Sequence, residues 1–223
     1  RQSLLRHGPP PVLLTRPQTT ALKVVVFAVC LVPAARLVVG FFTNNLTANP
    51  VDFITDETGT WTLAMLTVSL AVTPLRRLTG WNEAIKFRRM LGLFAFFYAA
   101  LHVLTWITLV AFFDVQTMIE DVSMRPFITV GMATFLILLA LAVTSTTGWI
   151  RRLGRKWQQL HRLVYLAAVG SVVHFWWLVK ADVTKPLRWA MALSVLLLFR
   201  ERPWLALELP FLLLGGRFGA PEV

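Results

Sequence analysis

Between Met90 and Phe113 the chain runs for 24 residues without a charged side chain, as "MLGLFAFFYAALHVLTWITLVAFF". A helix crosses the hydrocarbon core of a bilayer with about 20 predominantly apolar residues. A run of this length therefore predicts a transmembrane helix, and it limits what the rest of the chain can be. The composition agrees: 57% of the 223 residues are hydrophobic and only 15% are charged, and mean hydropathy is +0.66. A soluble domain of this size would carry more charge.

Five further apolar stretches accompany the first. The sequence predicts an all-α integral membrane protein, a six-helix bundle with spans near 21–42, 60–75, 90–113, 127–145, 160–179 and 186–200. The first holds Pro33 and Arg36 and is expected to kink. Residues 1–19 contain five prolines or glycines and read as a loose cytoplasmic leader. Residues 201–223 include "PWLALELPFLLLGG", too short to span and suited to an interfacial tail. Residues 20–200 form the membrane domain between them.

The net charge of +11 raises nucleic acid as a partner, but the placement of the charges argues against it. Arg1, Arg6 and Arg16 precede the first span, and Lys23 lies at its start. Arg76, Arg77, Lys86, Arg88 and Arg89 lie between the second and third, and Arg151, Arg152, Arg155 and Lys156 between the fourth and fifth. Positive residues in alternate connections mark the cytoplasmic side, which puts both termini in the cytoplasm. The opposite connections hold Asp52, Asp56, Glu57, Asp114, Glu120 and Asp121. The lone cysteine, Cys30, can form no internal disulfide and reads as a packed apolar side chain. No C-x-x-C-H and no G-x-G-x-x-G is present.

Ionisable groups inside a membrane are costly and are functional candidates by default. His7 lies in the leader and is expected to be inert. His102, His161 and His174 all fall within or beside the third and fifth spans. At ~1.5 Å of rise per residue, His102 lies ~18 Å in from the cytoplasmic end of its helix, His174 ~25 Å and His161 ~6 Å. His102 and His174 thus share the outer half of the bilayer on parallel helices, where they can ligate one haem iron from opposite sides. Any one of the three histidines taken alone can instead serve as an interhelical hydrogen-bonding residue, and the similar depth of His102 and His174 favours ligation for that pair.

Phase separates the remaining histidine. His161 and His174 are 13 residues apart, which leaves them about 140° apart on an ideal helix. They share a face only if the helix is irregular, and Gly170 is a candidate position. Arg88 precedes His102 by 14 residues, about 40° off in phase, so it lies below His102 on the same face. A permanently protonated guanidinium is no ordinary axial ligand. Arg88 and its neighbour Arg89 suit a quinone carbonyl or a propionate, or act as positive-inside anchors. Arg36, deep in the first span, is a weaker candidate for a propionate. Trp106, Trp149, Trp157, Trp176 and Trp177 lie near span ends and are expected to anchor at the interface, with lining of a haem pocket as the alternative for any of them.

The segments "KFRRMLGLFAFFYAALHVLTW", "AVTPLRR", "NPVDFITDETGTW", "TSTTGWIRRLGRKWQQLHRLVYL" and "HFWWLVK" resemble the haem-binding membrane subunits of bacterial protein-methionine-sulfoxide reductase systems, the MsrQ (or YedZ) family of the ferric-reductase-like transmembrane superfamily. The resemblance extends from about residue 20 to 200. It implies a multi-pass b-type cytochrome of the bacterial inner membrane. Such a subunit takes electrons from the quinone pool and passes them to a periplasmic molybdopterin subunit, MsrP, which repairs oxidised methionine in periplasmic proteins. It also implies an FMN, for which no residues stand out. Related oxidases and ferric reductases stack two haems. A histidine would then be expected where this chain has Arg88, so the haem count is one, with two as the alternative.

The expected scheme is therefore an electron-transfer subunit. Quinol docks by His161, Arg88 and Arg89, and a haem b held by His102 and His174 carries the electrons outward. The chain itself does not reduce methionine sulfoxide. The rivals are a flavin-fed ferric reductase or oxidase-type cytochrome and a haem-free transporter or scaffold whose histidines relay protons.

Overall fold

The computed structural model describes residues 15–179 and 182–201. Most of the leader, including His7, and nearly all of the tail lie outside the described residues. Those described are helical, with no strand among them. Helix α1 (Arg16–Phe42) begins four residues inside the expected leader. The Thr15 N–H that precedes it donates to Gln18 Oε1 at 2.9 Å, and Pro17 in its first turn needs no partner for an N–H it lacks.

Pro33 sits within α1, which continues through it to Phe42. The Tyr98 hydroxyl repairs the ladder there. It donates to Cys30 O at 2.6 Å and accepts from Ala34 N at 3.2 Å. Tyr98 is fully buried, so this phenol also fastens α1 to α3. Cys30 is buried and free, as expected.

Helix α2 (Pro50–Thr79) is much longer than the expected 60–75. Asn49 caps it through Asp52 N, Pro50 suits its first position and Asp52 complements its N-terminal dipole. The acidic stretch expected to be a loop is therefore the outer part of a helix. Gly80 ends α2 with φ 70°, a left-handed conformation that favours glycine. Helix α3 (Ile85–Thr105) continues into a π-helical turn, Trp106–Val110. Helix α4 (Val115–Met124) follows, capped by Asp114, which accepts from Gln116 N at 3.1 Å and Thr117 Oγ1 at 2.6 Å. These bonds hold the Asp114 carboxyl below the usual range. Helix α5 (Pro126–Val143) leads back inward.

The expected span 160–179 is divided. Helices α6 (Thr147–Leu153) and α7 (Arg155–His161) precede α8 (Leu163–Leu178), and α9 (Thr184–Glu201) ends the described chain. The irregularity falls at Arg162, where Arg162 N bonds Gln159 O and Tyr165 N bonds Arg162 O. These i to i+3 bonds tighten the chain locally. Gly170, the position expected to be irregular, lies inside α8. Its missing Cβ leaves room for the Thr134 hydroxyl of α5. Small residues allow helices to approach closely in membranes, and Ala167 and Ala168 are buried on the same helix.

The strongest packing pairs α2 with α3 and α5 with α8, and α3 against α5 joins the two pairs. Tyr98, Ala95, Leu66, Ala167 and Ala168 lie at the centre. Helix α9 lies against α2 and α8, with Lys185 Nζ 3.3 Å from Asp56 Oδ2. Four segments are long and apolar enough to cross a membrane: Arg16–Phe42, Pro50–Thr79, Asn82–Val110 and Pro126–Val143. Helix α8 has 16 residues and α9 has 18.

Candidate functional site

Two cavities lie between the helix pairs. The outer one, ≈ 380 Å³, is lined from α3 by His102, from the π-helical turn after it by Trp106, from α8 by His174, from α2 by Thr55 and Gly59, and from α5 by Gly131. The ring centres of His102 and His174 are 6.1 Å apart, with planes at 87°. The structure thus brings together the two histidines whose depths matched in the sequence.

Their hydrogen bonds decide their tautomers. His102 Nδ1 lies 3.0 Å from Thr55 O and His174 Nδ1 lies 2.6 Å from Phe127 O. A carbonyl only accepts, so each Nδ1 carries the proton and donates. Thr58 Oγ1 stands 3.3 Å from His102 Nδ1 while donating to Ile54 O. Each Nε2 keeps its lone pair. A backbone carbonyl on one nitrogen, fixing the ring and freeing the other, is the usual support of a metal-ligating histidine.

Two glycines make room for the rings. A Cβ on Gly59 would stand 3.1 Å from His102 Cε1. One on Gly131 would stand 2.6 Å from His174 Nδ1. Neither glycine has a positive φ, so close approach, not backbone conformation, explains them. With metal–nitrogen bonds of about 2 Å and ~1 Å from each nitrogen to its ring centre, two axial imidazoles have centres roughly 6 Å apart. The observed separation fits one metal between them. No group of three or more His, Cys, Asp or Glu is placed to hold an ion among the described residues. The remaining donors would have to come from the ligand, as they do in a porphyrin. The residues present fit a haem.

The inner cavity, ≈ 540 Å³, holds His161, Arg88, Arg89, Arg162, Tyr165 and Trp157. Among the described residues that line it, His161 is the one imidazole. His161 stacks on Trp157, with centres 3.9 Å apart, and its Nε2 lies 3.2 Å from Thr144 Oγ1. That hydroxyl donates to Ala140 O at 2.7 Å, so it accepts from His161 Nε2–H and leaves Nδ1 as the basic nitrogen. Arg88 is half-buried and reaches Thr73 Oγ1 and the Tyr165 hydroxyl at 3.4 and 3.5 Å. Arg89 is exposed but lines the same cavity. Leu138, fully packed, lines both cavities and forms the wall between them.

Arg36 is a correction. It lies on the exposed face of α1 and lines neither cavity. Only six residues from the outer end of α1, its long side chain can reach the interface along the helix surface. Two of the tryptophans also depart from simple anchoring. Trp106 lines the outer cavity and donates to Asp121 Oδ2 at 3.3 Å, and Trp157 donates to Thr144 O at 2.9 Å. Trp149, Trp176 and Trp177 remain exposed.

Sequence reasoning missed Gly59, Gly131, Leu138 and the two carbonyls. A glycine amid bulky residues of an apolar helix is a signal for close approach. A backbone carbonyl has no side-chain signature at all.

The comparisons with known proteins point one way. Residues 58–172 match the family model "Ferric reductase like transmembrane component". The chain is similar to a "Protein-methionine-sulfoxide reductase heme-binding subunit MsrQ" of Herminiimonas arsenicoxydans, 50% identical over 187 residues, covering 82% of this chain and 86% of that one. The relative of that name in Ralstonia nicotianae is 50% identical over 168 residues, 75% and 77% of the two chains. The one in Xanthomonas axonopodis pv. citri is 45% identical over 192 residues, 83% and 88%.

Proposed function

Because the chain belongs to the ferric-reductase-like transmembrane family, and within it to the MsrQ subunits, we propose that it is the haem-binding electron-transfer subunit of a protein-methionine-sulfoxide reductase system. The proposal places it in the bacterial inner membrane as six spans, with both termini cytoplasmic. Electrons enter from quinol on the cytoplasmic side and leave to a periplasmic molybdopterin subunit, MsrP, which reduces methionine sulfoxide in oxidised proteins. His102 and His174 would hold one haem b, which would supply one-electron transfer in the outer half of the bilayer. An FMN, implied by the resemblance, is assigned no residues.

The observation that carries this reading is the facing imidazole pair, 6.1 Å between centres, with each Nδ1 bonded to a main-chain carbonyl. Those carbonyls orient the rings and fix which nitrogen is free. Gly59 and Gly131 let the rings lie against α2 and α5. In the inner cavity Arg88 and Arg89 offer donors to a quinone oxygen. Quinol loses two electrons, one at a time, and two protons. Nδ1 of His161 takes one of those protons, since imidazole exchanges protons near neutral pH, and the other leaves to the cytoplasmic water.

The test is a spectrum of the purified full chain expressed with adequate haem. His102→Ala and His174→Ala each abolish the reduced-haem bands, while His161→Ala keeps them. A normal spectrum in both of the first two variants overturns the ligand assignment. Loss of half the haem iron in His161→Ala replaces the single haem with two.

A further inference from the structure

The connection between α3 and α5 lines the outer cavity at its start, through Trp106 and Val110, and beyond them it is built against backbone preference. Phe112 and Phe113 both have positive φ, 49° and 60°. Bulky side chains rarely adopt this conformation, and glycine usually takes it at a helix end. The turn does close the end of α3: Ala111 N bonds Trp106 O, and Phe113 N bonds Ile107 O. The two rings nevertheless point away from the protein, 77% and 66% exposed.

Helix α4 continues the pattern. At ~100° per residue, its positions fall into three sectors. Thr117, Met118, Asp121 and Val122 are buried or half-buried and face the bundle. Val115 and Ile119, both exposed, lie about 110° round from them. Gln116, Glu120 and Ser123 lie a further ~90° round and are exposed and polar. Met124, exposed and apolar in the last turn, lies between this polar sector and the bundle-facing one. The protein sector is pinned by Asp121, which accepts from Trp106 Nε1 at 3.3 Å and pairs with Arg125 at 3.2 Å.

A helix lying in the plane of a membrane beside a bundle has three surroundings in this order: protein, acyl chains and water. From these sectors we infer that the Phe112–Phe113 turn and α4 form an in-plane anchor in the outer leaflet, with Phe112, Phe113, Val115 and Ile119 inserted among the lipid chains. The patch begins where α3 leaves the bilayer, and so continues that helix's lipid-facing surface. Helix α4 has no Lys or Arg and carries Glu120 and Asp121, so attraction to anionic headgroups does not drive the insertion. Apolar burial does. The inference is independent of what either cavity binds.

Cysteine accessibility tests it. Native Cys30 is buried, so Phe113→Cys, Ile119→Cys and Glu120→Cys can each carry a single nitroxide on the full chain in lipid nanodiscs. Labels at 113 and 119 should collide several-fold more with oxygen than with a water-soluble nickel chelate, and the label at 120 should show the reverse. Equal chelate access at all three positions overturns the anchor. So does shielding at 113 and 119 that appears only when a periplasmic partner protein is added, which makes the patch a protein-docking surface. The double variant Phe112→Gly, Phe113→Gly gives a second reading. Glycine suits both φ values, so the thermal midpoint in nanodiscs rises if the rings do nothing and falls if they anchor.

Discussion

The outer and inner cavities both contain histidine, both open between the same helix pairs and share Leu138 as a wall. They differ in what holds the imidazoles. In the outer cavity Nδ1 of each ring is bonded to a backbone carbonyl, which leaves two Nε2 lone pairs on facing helices. In the inner cavity Nε2 is bonded to the Thr144 hydroxyl, the ring is stacked on Trp157, and Arg88, Arg89 and Arg162 line the same space. The partners of a histidine, more than its burial, separate a ligand from a proton-exchanging group.

The largest expected effect breaks the outer cavity alone. Beyond the alanine variants of His102 and His174, Gly131→Ala places a Cβ against His174 Nδ1. Overpacking of this kind costs about 1–3 kcal/mol, which predicts a several-fold to hundred-fold loss of haem affinity by titration. Gly59→Ala, with a wider clearance, should weaken haem less. If the order is reversed, the two glycines are not the clearance for the rings.

Changes in the inner cavity should leave the haem spectrum intact. His161→Ala removes a proton acceptor, and loss of general acid–base help typically slows a reaction ~10²–10⁴-fold, read as quinol-driven reduction of the haem. A smaller effect follows from Thr144→Val, which removes the partner that fixes the ring of His161. A hydrogen bond of about 1 kcal/mol corresponds to a few-fold slower reduction. An unchanged rate in both variants would separate quinol oxidation from this cavity. The smallest effect on the haem comes from outside the cavities. Tyr98→Phe leaves Ala34 N–H and Cys30 O without their shared partner and should destabilise the fold by about 1–3 kcal/mol, measured by thermal unfolding, with the haem bands unshifted.

Much of this arrangement is legible in the chain because it depends on long-range regularity. The run from Met90 to Phe113 requires a helix in lipid. The 1.5 Å rise per residue then matches the depths of His102 and His174, and the 100° step separates His161 from His174. Other features depend on local chemistry that the same regularity conceals. The acidic stretch after Asn49 looked like a loop because its charges mark the membrane boundary, but a good cap and favourable dipole let α2 run past that boundary. Arg36 looked like a buried charge because depth alone does not say which way a helix faces. Gly170 looked like a hinge, whereas it accommodates Thr134 and the tightened turn is at Arg162.

The chain by itself determined that this is a helical membrane protein with a charge bias toward one side, and that two histidines share a level, because hydrophobic length, loop charge and helix rise are properties of consecutive residues. Tertiary structure alone decided that the two ring centres come within 6.1 Å of each other, that Thr55 O and Phe127 O set their tautomers, and that Gly59 and Gly131 clear their space. Those are distances between residues tens of positions apart, and they exist only once α2, α3, α5 and α8 have packed.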